Sequence, residues 1–203
     1  MLPIKSKYKI AKRLGSAIFE KTQTQKFALS EGRFKKTRRG GRTKSDYGRQ
    51  LIEKQRVRYT YGLSEAQLQK YVRKASEAVS PPTALHQMLE MRADSVVYRA
   101  GLAATHRAAR QMVSHGHVLV NGTRTTTPSY HLKKGDSLTV REGSRRKTLF
   151  SSLSNAEEGN TRAIPPWITF DLGALQIAVG GEPSYTPAET ILDYPAVFEF
   201  YSR

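Results

Sequence analysis

The chain has 203 residues and carries 34 Lys and Arg against 17 Asp and Glu, which gives a formal net charge of +17. This surplus predicts a polyanionic partner. The absence of cysteine excludes disulfides and any thiolate zinc site. The sequence has no apolar run of about 18 residues, and its first residues lack the apolar core of a secretory signal. We therefore expect a cytoplasmic protein without a membrane partner.

The basic residues are concentrated in the N-terminal third. Residues 1–75 contain 21 basic and 5 acidic residues, whereas residues 76–203 contain 13 and 12. A phosphate backbone would supply the missing negative charge, and a basic tail for solubility or targeting is the alternative. Poor periodicity over residues 1–43 predicts an extended basic arm that becomes ordered only against RNA.

Short amphipathic helices are predicted after this arm. They are expected at residues 46–62, 64–79 and 83–91. Ser64 and Gln67 have the spacing of a capping box that opens the second helix, and Pro81 and Pro82 stop it. The apolar and aromatic tail at residues 196–201 is expected to dock on a folded domain.

A different pattern begins at residue 94. Two short helices separated by Gly101 are predicted over residues 94–116, with Thr105 as an N-cap and Gly116 as a C-terminal cap. The pair Asn121-Gly122 favours a type I′ turn after a strand. The strands are expected at residues 118–120, 123 onward, 137–141, 147–150, 168–170 and 175–179, with a surface loop over 151–166. The predicted fold class is α+β.

The second helix of this pattern carries the main candidate RNA-binding surface. Its polar positions can share one exposed face, namely Thr105, His106, Arg107, Arg110, Gln111 and Ser114. Arg and Lys neutralise phosphates, and the free N–H groups of a helix N-terminus can bind one as well. Further candidates on either side are Arg92, Arg99, His115, His117, Asn121, Lys133 and Lys134. Any single one of them could instead be a solvated surface residue.

A second candidate surface lies in the first predicted helix and just before it. Its basic residues are Lys44, Arg49, Lys54, Arg56 and Arg58. Tyr47 is a further candidate because its ring could stack on an unpaired base, although packing in a core is the more common role.

The sequence predicts neither a catalytic site nor a metal site. The segment His115-Gly116-His117 lacks the cysteine or carboxylate pair that would complete a metal site. The pair Glu157-Glu158 is expected in a solvated loop, and there is no Gly-rich phosphate loop. We therefore predict no cofactor and no enzymatic activity.

Several segments together resemble the bacterial-type small ribosomal subunit protein four family. They are residues 44–75, 89–142, 164–172 and 197–203, and they include THRAARQMVSHGHVLVNGTR and the ending VFEFYSR. The resemblance implies a structural constituent of the small ribosomal subunit. It also implies a helical domain (44–88, completed by 180–203) into which a helix-turn-helix module with a small antiparallel sheet (89–179) is inserted.

The same resemblance implies partners and a location. The expected partner is small-subunit rRNA, which such a protein binds early to nucleate subunit assembly. It would also lie where mRNA enters the subunit, beside small-subunit proteins three and five, and contribute to decoding accuracy. Many relatives carry a cysteine-containing zinc motif near the N-terminus, and its absence here means that no metal is carried over. The expected location is a bacterial-type ribosome, with an organellar one as the alternative.

Two other functions compete with this one. A free-standing RNA chaperone could use the same module, and so could an RNA-modifying enzyme that carries it as an appendage. The helical segment at 44–75 and the ending FEFYSR favour the ribosomal protein, because neither alternative requires them.

Overall fold

The computed structural model describes residues 4, 6–37, 45–147, 150, 163–188 and 190–202. The chain divides into two compact units. Unit 1 comprises residues 1–85 and 185–203, and unit 2 comprises residues 86–184. The C-terminal segment therefore belongs to the same unit as the N-terminal helices.

The N-terminal segment is helical rather than extended. Helices α1 (Lys7–Leu14) and α2 (Gln25–Thr37) are joined by short 3₁₀ turns. Phe19 and Phe27 are buried in a small core that includes Ile52 and Tyr59. The predicted extended arm is thus wrong over residues 7–37. The apolar positions here are few, and they find their partners on a helix distant in sequence, so local periodicity does not reveal them.

Unit 1 also contains α3 (Asp46–Thr60), α4 (Glu65–Ala75) and the C-terminal helix α9 (Tyr194–Tyr201). The predicted capping box is confirmed, because Ser64 Oγ accepts from Gln67 N–H at 3.2 Å and Gln67 Oε1 accepts from Ser64 N–H at 3.1 Å. The tail docks as predicted: α9 packs along α3, and the Tyr61 and Tyr194 hydroxyls share a hydrogen bond of 3.2 Å.

Helix α4 is shorter than predicted, and the next helix begins earlier. Helix α4 ends at Ala75, and Val79 is fully exposed, so no packing partner extends the helix to that position. Helix α5 (Pro81–Glu90) begins at the two prolines. Proline has no N–H to donate, and the first turn of a helix needs none, so these prolines start a helix as well as ending one.

Unit 2 consists of a helix pair followed by a small sheet. Its elements are α6 (Ala93–Arg99), α7 (His106–Ser114), β1 (Val118–Val120), β2 (Thr123–Arg124), β3 (Ser137–Val140), α8 (Glu142–Arg145), β4 (Ile168–Asp171) and β5 (Gln176–Val179). The strands form an antiparallel sheet in the order β2-β1-β3-β5-β4. Asn121 and Gly122 adopt φ values of 48° and 78°, as the predicted type I′ turn requires.

The core of unit 2 forms where the helix pair covers the sheet. Its members include Val97 of α6, Val113 of α7, Val118 of β1, Leu138 of β3 and Ile177 of β5. These side chains recur every second residue along β1, β3 and β5, so the inward face of the sheet is apolar.

The prediction of a strand at residues 147–150 is wrong at residues 147 and 150, the two of these four residues that the structure describes, because neither is in a strand. After α8 the chain continues to turn, because Lys147 N–H donates to Ser144 O at 3.0 Å and Phe150 N–H donates to Lys147 O at 2.9 Å. Residues 148–149 and most of the predicted loop, including Glu157-Glu158, lie outside the described residues. None of the described helices is long and apolar enough to cross a lipid bilayer.

Candidate nucleic-acid interface

Helix α7 is the best-defined part of the candidate interface. It begins at Thr105, whose side chain accepts from Ala108 N–H at 3.1 Å, so the predicted N-cap is confirmed. Its inward side is formed by Ala109, Met112 and Val113. The opposite side exposes Arg107, Gln111 and Ser114, and it continues at the helix end into exposed His115. We call these four residues the α7 face.

The side chains of two other predicted residues of α7, His106 and Arg110, contact residues of α6. The ring of His106 stacks on Tyr98 with centroids 3.6 Å apart. The Arg110 side chain is only 18% exposed, and its Nη1 lies 3.5 Å from Asp94 Oδ2. Both residues therefore help to hold α7 against α6. Thr105 is likewise committed to its capping bond.

The end of α7 is fixed by a glycine cap, as predicted. Gly116 has φ 68°, and N–H groups of Gly116 and His117 donate to Val113 O and Met112 O at 2.8 and 3.1 Å. This is the pattern of a Schellman motif. Half-buried His117 forms a hydrogen bond of 3.0 Å between Nδ1 and Ser144 Oγ. Burial lowers the pKa of His117, and the positive charges of neighbouring residues lower it further.

Two of the predicted arginines have structural roles. Arg92 is 1% exposed, and its Nε and Nη2 donate to the two oxygens of Asp94 at 2.9 and 2.7 Å. Arg99 forms a similar bidentate pair with buried Glu90, at 2.8 and 2.6 Å. The Arg92 guanidinium is therefore enclosed and is not presented on a surface, and its role in RNA binding stays a prediction. Arg99 is one-third exposed, with its charge directed to Glu90.

The hairpin side of unit 2 holds the remaining candidates. Asn121 joins its hairpin turn to the turn before β3, since its Nδ2 donates to Asp136 Oδ1 and its Oδ1 accepts from Ser137 N–H, both at 2.9 Å. The Asn121 bond and a bond from the Lys133 N–H hold the pKa of Asp136 below its ordinary value. The side chains of Lys133 and Lys134 are exposed at this turn.

The second predicted surface, in unit 1, is smaller than expected. Tyr47 is half exposed and Arg49 is well exposed, in an ion pair with Asp46. Lys54 is 7% exposed, donates to Glu65 Oε1 at 2.9 Å, and lies 4.1 Å from the centroid of the Phe200 ring. Its ammonium group therefore contacts α4 and α9 and is not presented on the surface, and its role in RNA binding stays a prediction.

The side chains of Arg56 and Arg58 also form hydrogen bonds and ion pairs within unit 1. Arg56 Nε donates to Leu14 O at 2.6 Å, and its Nη1 contacts Glu53 at 2.6 Å. Arg58 Nη1 lies 3.0 Å from Glu65 Oε2. Lys44 lies outside the described residues. Tyr47 and Arg49 are therefore the described predicted residues that this surface leaves accessible.

Sequence reasoning missed other exposed cations, and it found no metal site. Arg124 and Arg141 lie beside the end of α7 in three dimensions, although neither was a candidate. Their positions follow from strand pairing, which sequence spacing alone does not give. Among the described residues no group of three or more His, Cys, Asp or Glu is placed to hold a metal ion.

The fold and these surfaces define a class. A capped helix packed on a small antiparallel sheet, with exposed cations on its outer side, is characteristic of a module that binds a polyanion through its phosphates. The comparisons agree in detail. The family described as "S4 domain" matches residues 91–138, and the one described as "Ribosomal protein S4/S9 N-terminal domain" matches residues 4–90.

Curated relatives match over nearly the whole chain. Small ribosomal subunit protein uS4 of Roseiflexus sp. (strain RS-1) is 39% identical over 200 residues, which cover 96% of both chains. The protein of the same name from Borrelia turicatae is 37% identical over 205 residues, covering 98% of this chain and 96% of the relative. That of Cutibacterium acnes is 44% identical over 165 residues, covering 80% and 81%. The chain belongs to the uS4 family of small ribosomal subunit proteins.

Proposed function

We infer that this chain is a structural, rRNA-binding constituent of the small ribosomal subunit. The observation that carries the inference is the extent of the match: two family domains cover residues 4–138 in succession, and relatives named for this subunit align over 96% of both chains. This extent favours an integral ribosomal protein over a free-standing chaperone or the appendage of an enzyme. Its role is accordingly structural, and we propose that it has no enzymatic activity.

We propose that the α7 face is the main rRNA contact of unit 2. The exposure of Arg107, Gln111, Ser114 and His115 on one side of a capped helix supports this proposal. Arg107 can form a fork with phosphate oxygens, while Gln111 and Ser114 offer neutral hydrogen-bonding groups. Lys133 and Lys134, on the turn before β3, would add phosphate contacts.

In unit 1 we propose that Tyr47, Arg49 and the preceding Lys44 form a further contact. The exposure of Tyr47 and Arg49 supports it, because an accessible ring can stack on an unpaired base and an accessible guanidinium can pair with phosphate. The division of the chain after residues 85 and 184 supports a module inserted into a helical domain, with proposed domain limits 44–88, 89–179 and 180–203.

Family membership supports three finer proposals. The chain would bind rRNA early and so nucleate subunit assembly. It would lie where mRNA enters, beside small-subunit proteins three and five, and affect decoding accuracy. It would work in a bacterial-type cytoplasm. Chemical cross-linking of purified subunits tests the neighbours: cross-links to other proteins, with none to these two, would overturn that placement.

Sedimentation tests the function itself. The tagged full chain is expressed in the source cells, lysates are sedimented at moderate and high salt, and the RNA that co-purifies is sequenced. We expect salt-resistant comigration with small subunits and enrichment of small-subunit rRNA, because an integral protein makes many phosphate contacts. Release at modest salt, or enrichment of tRNA or large-subunit RNA, would contradict the proposal.

A further inference from the structure

The end of α7 is surrounded by three cations that the proposed function has not used, Arg124, Arg141 and Lys147. Together with His115, the last residue of the α7 face, we call them the turn patch. All four are exposed. Three of them come from different parts of the fold: β2 supplies Arg124, the residue after β3 supplies Arg141, and the turn after α8 supplies Lys147.

Arg124 is held in place by the backbone at Gly116. A Cβ atom at Gly116 would lie 2.7 Å from Nη2 and 2.9 Å from Cζ of Arg124, so the guanidinium occupies the space that a side chain would fill. Nη2 also donates to His115 O at 3.4 Å. Glycine is therefore needed at position 116 for two reasons. It adopts the positive φ that the helix cap requires, and its missing side chain leaves space for the Arg124 guanidinium. An arginine fixed in this way loses less side-chain entropy when it binds.

Hydrogen bonds around His117 place Arg141 and Lys147 near the same end of α7. Arg141 N–H donates to His117 O at 2.9 Å. Ser144 accepts or donates at His117 Nδ1, 3.0 Å away, and the backbone then turns so that Lys147 N–H donates to Ser144 O. The charges of Lys147, His115, Arg124 and Arg141 all act, after burial, to lower the pKa of His117. The permanent positive charges of Arg124, Arg141 and Lys147 therefore lie around one short turn.

No internal carboxylate neutralises the patch in the described part of the chain. The ion pairs described in unit 2 join Arg92 and Arg110 to Asp94, and Arg99 to Glu90. Glu142 is the acidic residue nearest in sequence to Arg141, and no ion pair to it is found among the described residues. Like charges held together without a counter-ion repel one another, so the patch is suited to an external anion.

We propose that the turn patch is a second phosphate-binding surface of unit 2, which continues the α7 face and holds the RNA backbone through Arg124. This rests on the proposed function. His115 belongs to both surfaces and is eight residues after Arg107, about 12 Å along the helix axis. A backbone bound along α7 can therefore run on to the patch. The arginine fork can hold two phosphate oxygens at once, and the continuity of the patch with the α7 face favours RNA over an acidic protein as the ligand.

Salt-dependent binding tests the proposal. The full chain is titrated with transcribed small-subunit rRNA at about 0.05 and 0.2 M salt, because each phosphate contact adds about one unit to the slope of log affinity against log salt. Arg124→Gln removes the charge but keeps a donor for His115 O. We expect its slope to fall by about one, so that the ratio of wild-type to variant affinity is about fourfold larger at the lower salt.

Two matched variants sharpen the result. Arg124→Lys keeps the charge and is expected to keep the wild-type slope. Arg145→Ala is the control arginine, because its Nε and Nη2 already donate to Val140 O and Ala174 O, at 3.3 and 3.1 Å. We expect its slope to be unchanged.

The outcomes separate the inference from the proposed function. An unchanged slope in Arg124→Gln overturns the inference and leaves the patch to an acidic protein partner. An equal fall in Arg145→Ala also overturns it, since the effect would then be one of total charge. If the wild type does not prefer small-subunit rRNA to tRNA, the proposed function fails, and the inference fails with it.

Discussion

The ion pair between Arg92 and Asp94 yields the sharpest stability prediction. Both side chains are enclosed, with exposures of 2% and 6%, and two hydrogen bonds of 2.9 and 2.7 Å join them. Asp94→Asn keeps the shape of the side chain but leaves the Arg92 charge buried. Removing one partner of a buried pair costs about 3–5 kcal/mol, because the remaining charge has lost its hydration as well as its counter-ion. We expect unit 2 of this variant to be destabilised by that amount.

The chain provides its own probe for this measurement. Trp167 is the single tryptophan, and it packs against the core of unit 2. Its fluorescence in a urea titration therefore follows the unfolding of that unit. With a slope of about 1.5 kcal/mol per M, a loss of about 3 kcal/mol lowers the midpoint by about 2 M.

A double variant distinguishes the cost of an unpaired charge from a loss of packing. Arg92→Met with Asp94→Leu removes both charges and fills the space with apolar atoms, which in other buried pairs is neutral or stabilising. We expect the midpoint to recover most of the loss seen in Asp94→Asn. A shift below about 0.5 M in the single variant, or a double variant no more stable than the single, would refute the reasoning.

Further predictions concern one residue or pair each. Arg107→Ala is expected to lower the salt slope of rRNA binding by about one and to leave the thermal midpoint unchanged, because the side chain is exposed on α7; an unchanged slope would remove it from the interface. Asn121→Ala is expected to cost about 1–2 kcal/mol of unfolding free energy, because φ is 48° and the hydrogen bonds to Asp136 and Ser137 are lost. Asn121→Gly should recover the part of this cost that comes from the positive φ, and urea titration of both variants would show the difference. Tyr201→Phe loses a 2.6 Å hydrogen bond to Glu65 and should destabilise unit 1 by about 1 kcal/mol at neutral pH. Burial raises the pKa of Glu65, but the Tyr201 and Lys54 bonds outweigh it and hold the pKa below its ordinary 4.5, so this contribution is full above that value and is lost as the pH falls through the lower, folded-state pKa. Far-UV circular dichroism in urea at several pH values checks this, and a difference that grows in acid would contradict it.

Local signals made α7 and the hairpin predictable. Thr105, Gly116 and the pair Asn121-Gly122 each act on their immediate neighbours, so a short sequence window contains all that is needed. The same holds for the capping box of α4. The resemblance to a family extended this to the order of the segments, and the family matches confirmed the membership.

The N-terminal helices could not be predicted in this way. Their core depends on Phe19 and Phe27 meeting Ile52 and Tyr59 of α3, and that contact joins positions some 30 residues apart in the sequence. A helix of eight residues such as α1 is marginal by itself and forms because its neighbours bury it. The high positive charge of this segment instead favoured the prediction of an extended arm, because many basic residues between apolar ones are typical of a segment without a core.

The roles of individual arginines could not be predicted because they depend on where the few carboxylates lie. Asp94 is within ion-pair distance of two arginines, and Glu65 is within that distance of Lys54 and Arg58. Every such carboxylate withdraws one or two cations from the surface that faces the polyanion. A count of basic residues in a helix therefore overestimates its phosphate contacts. The salt slope of the folded protein should follow the exposed cations that have no ion pair within the described part of the chain, such as Arg107 and Arg124, and not the net charge of the chain.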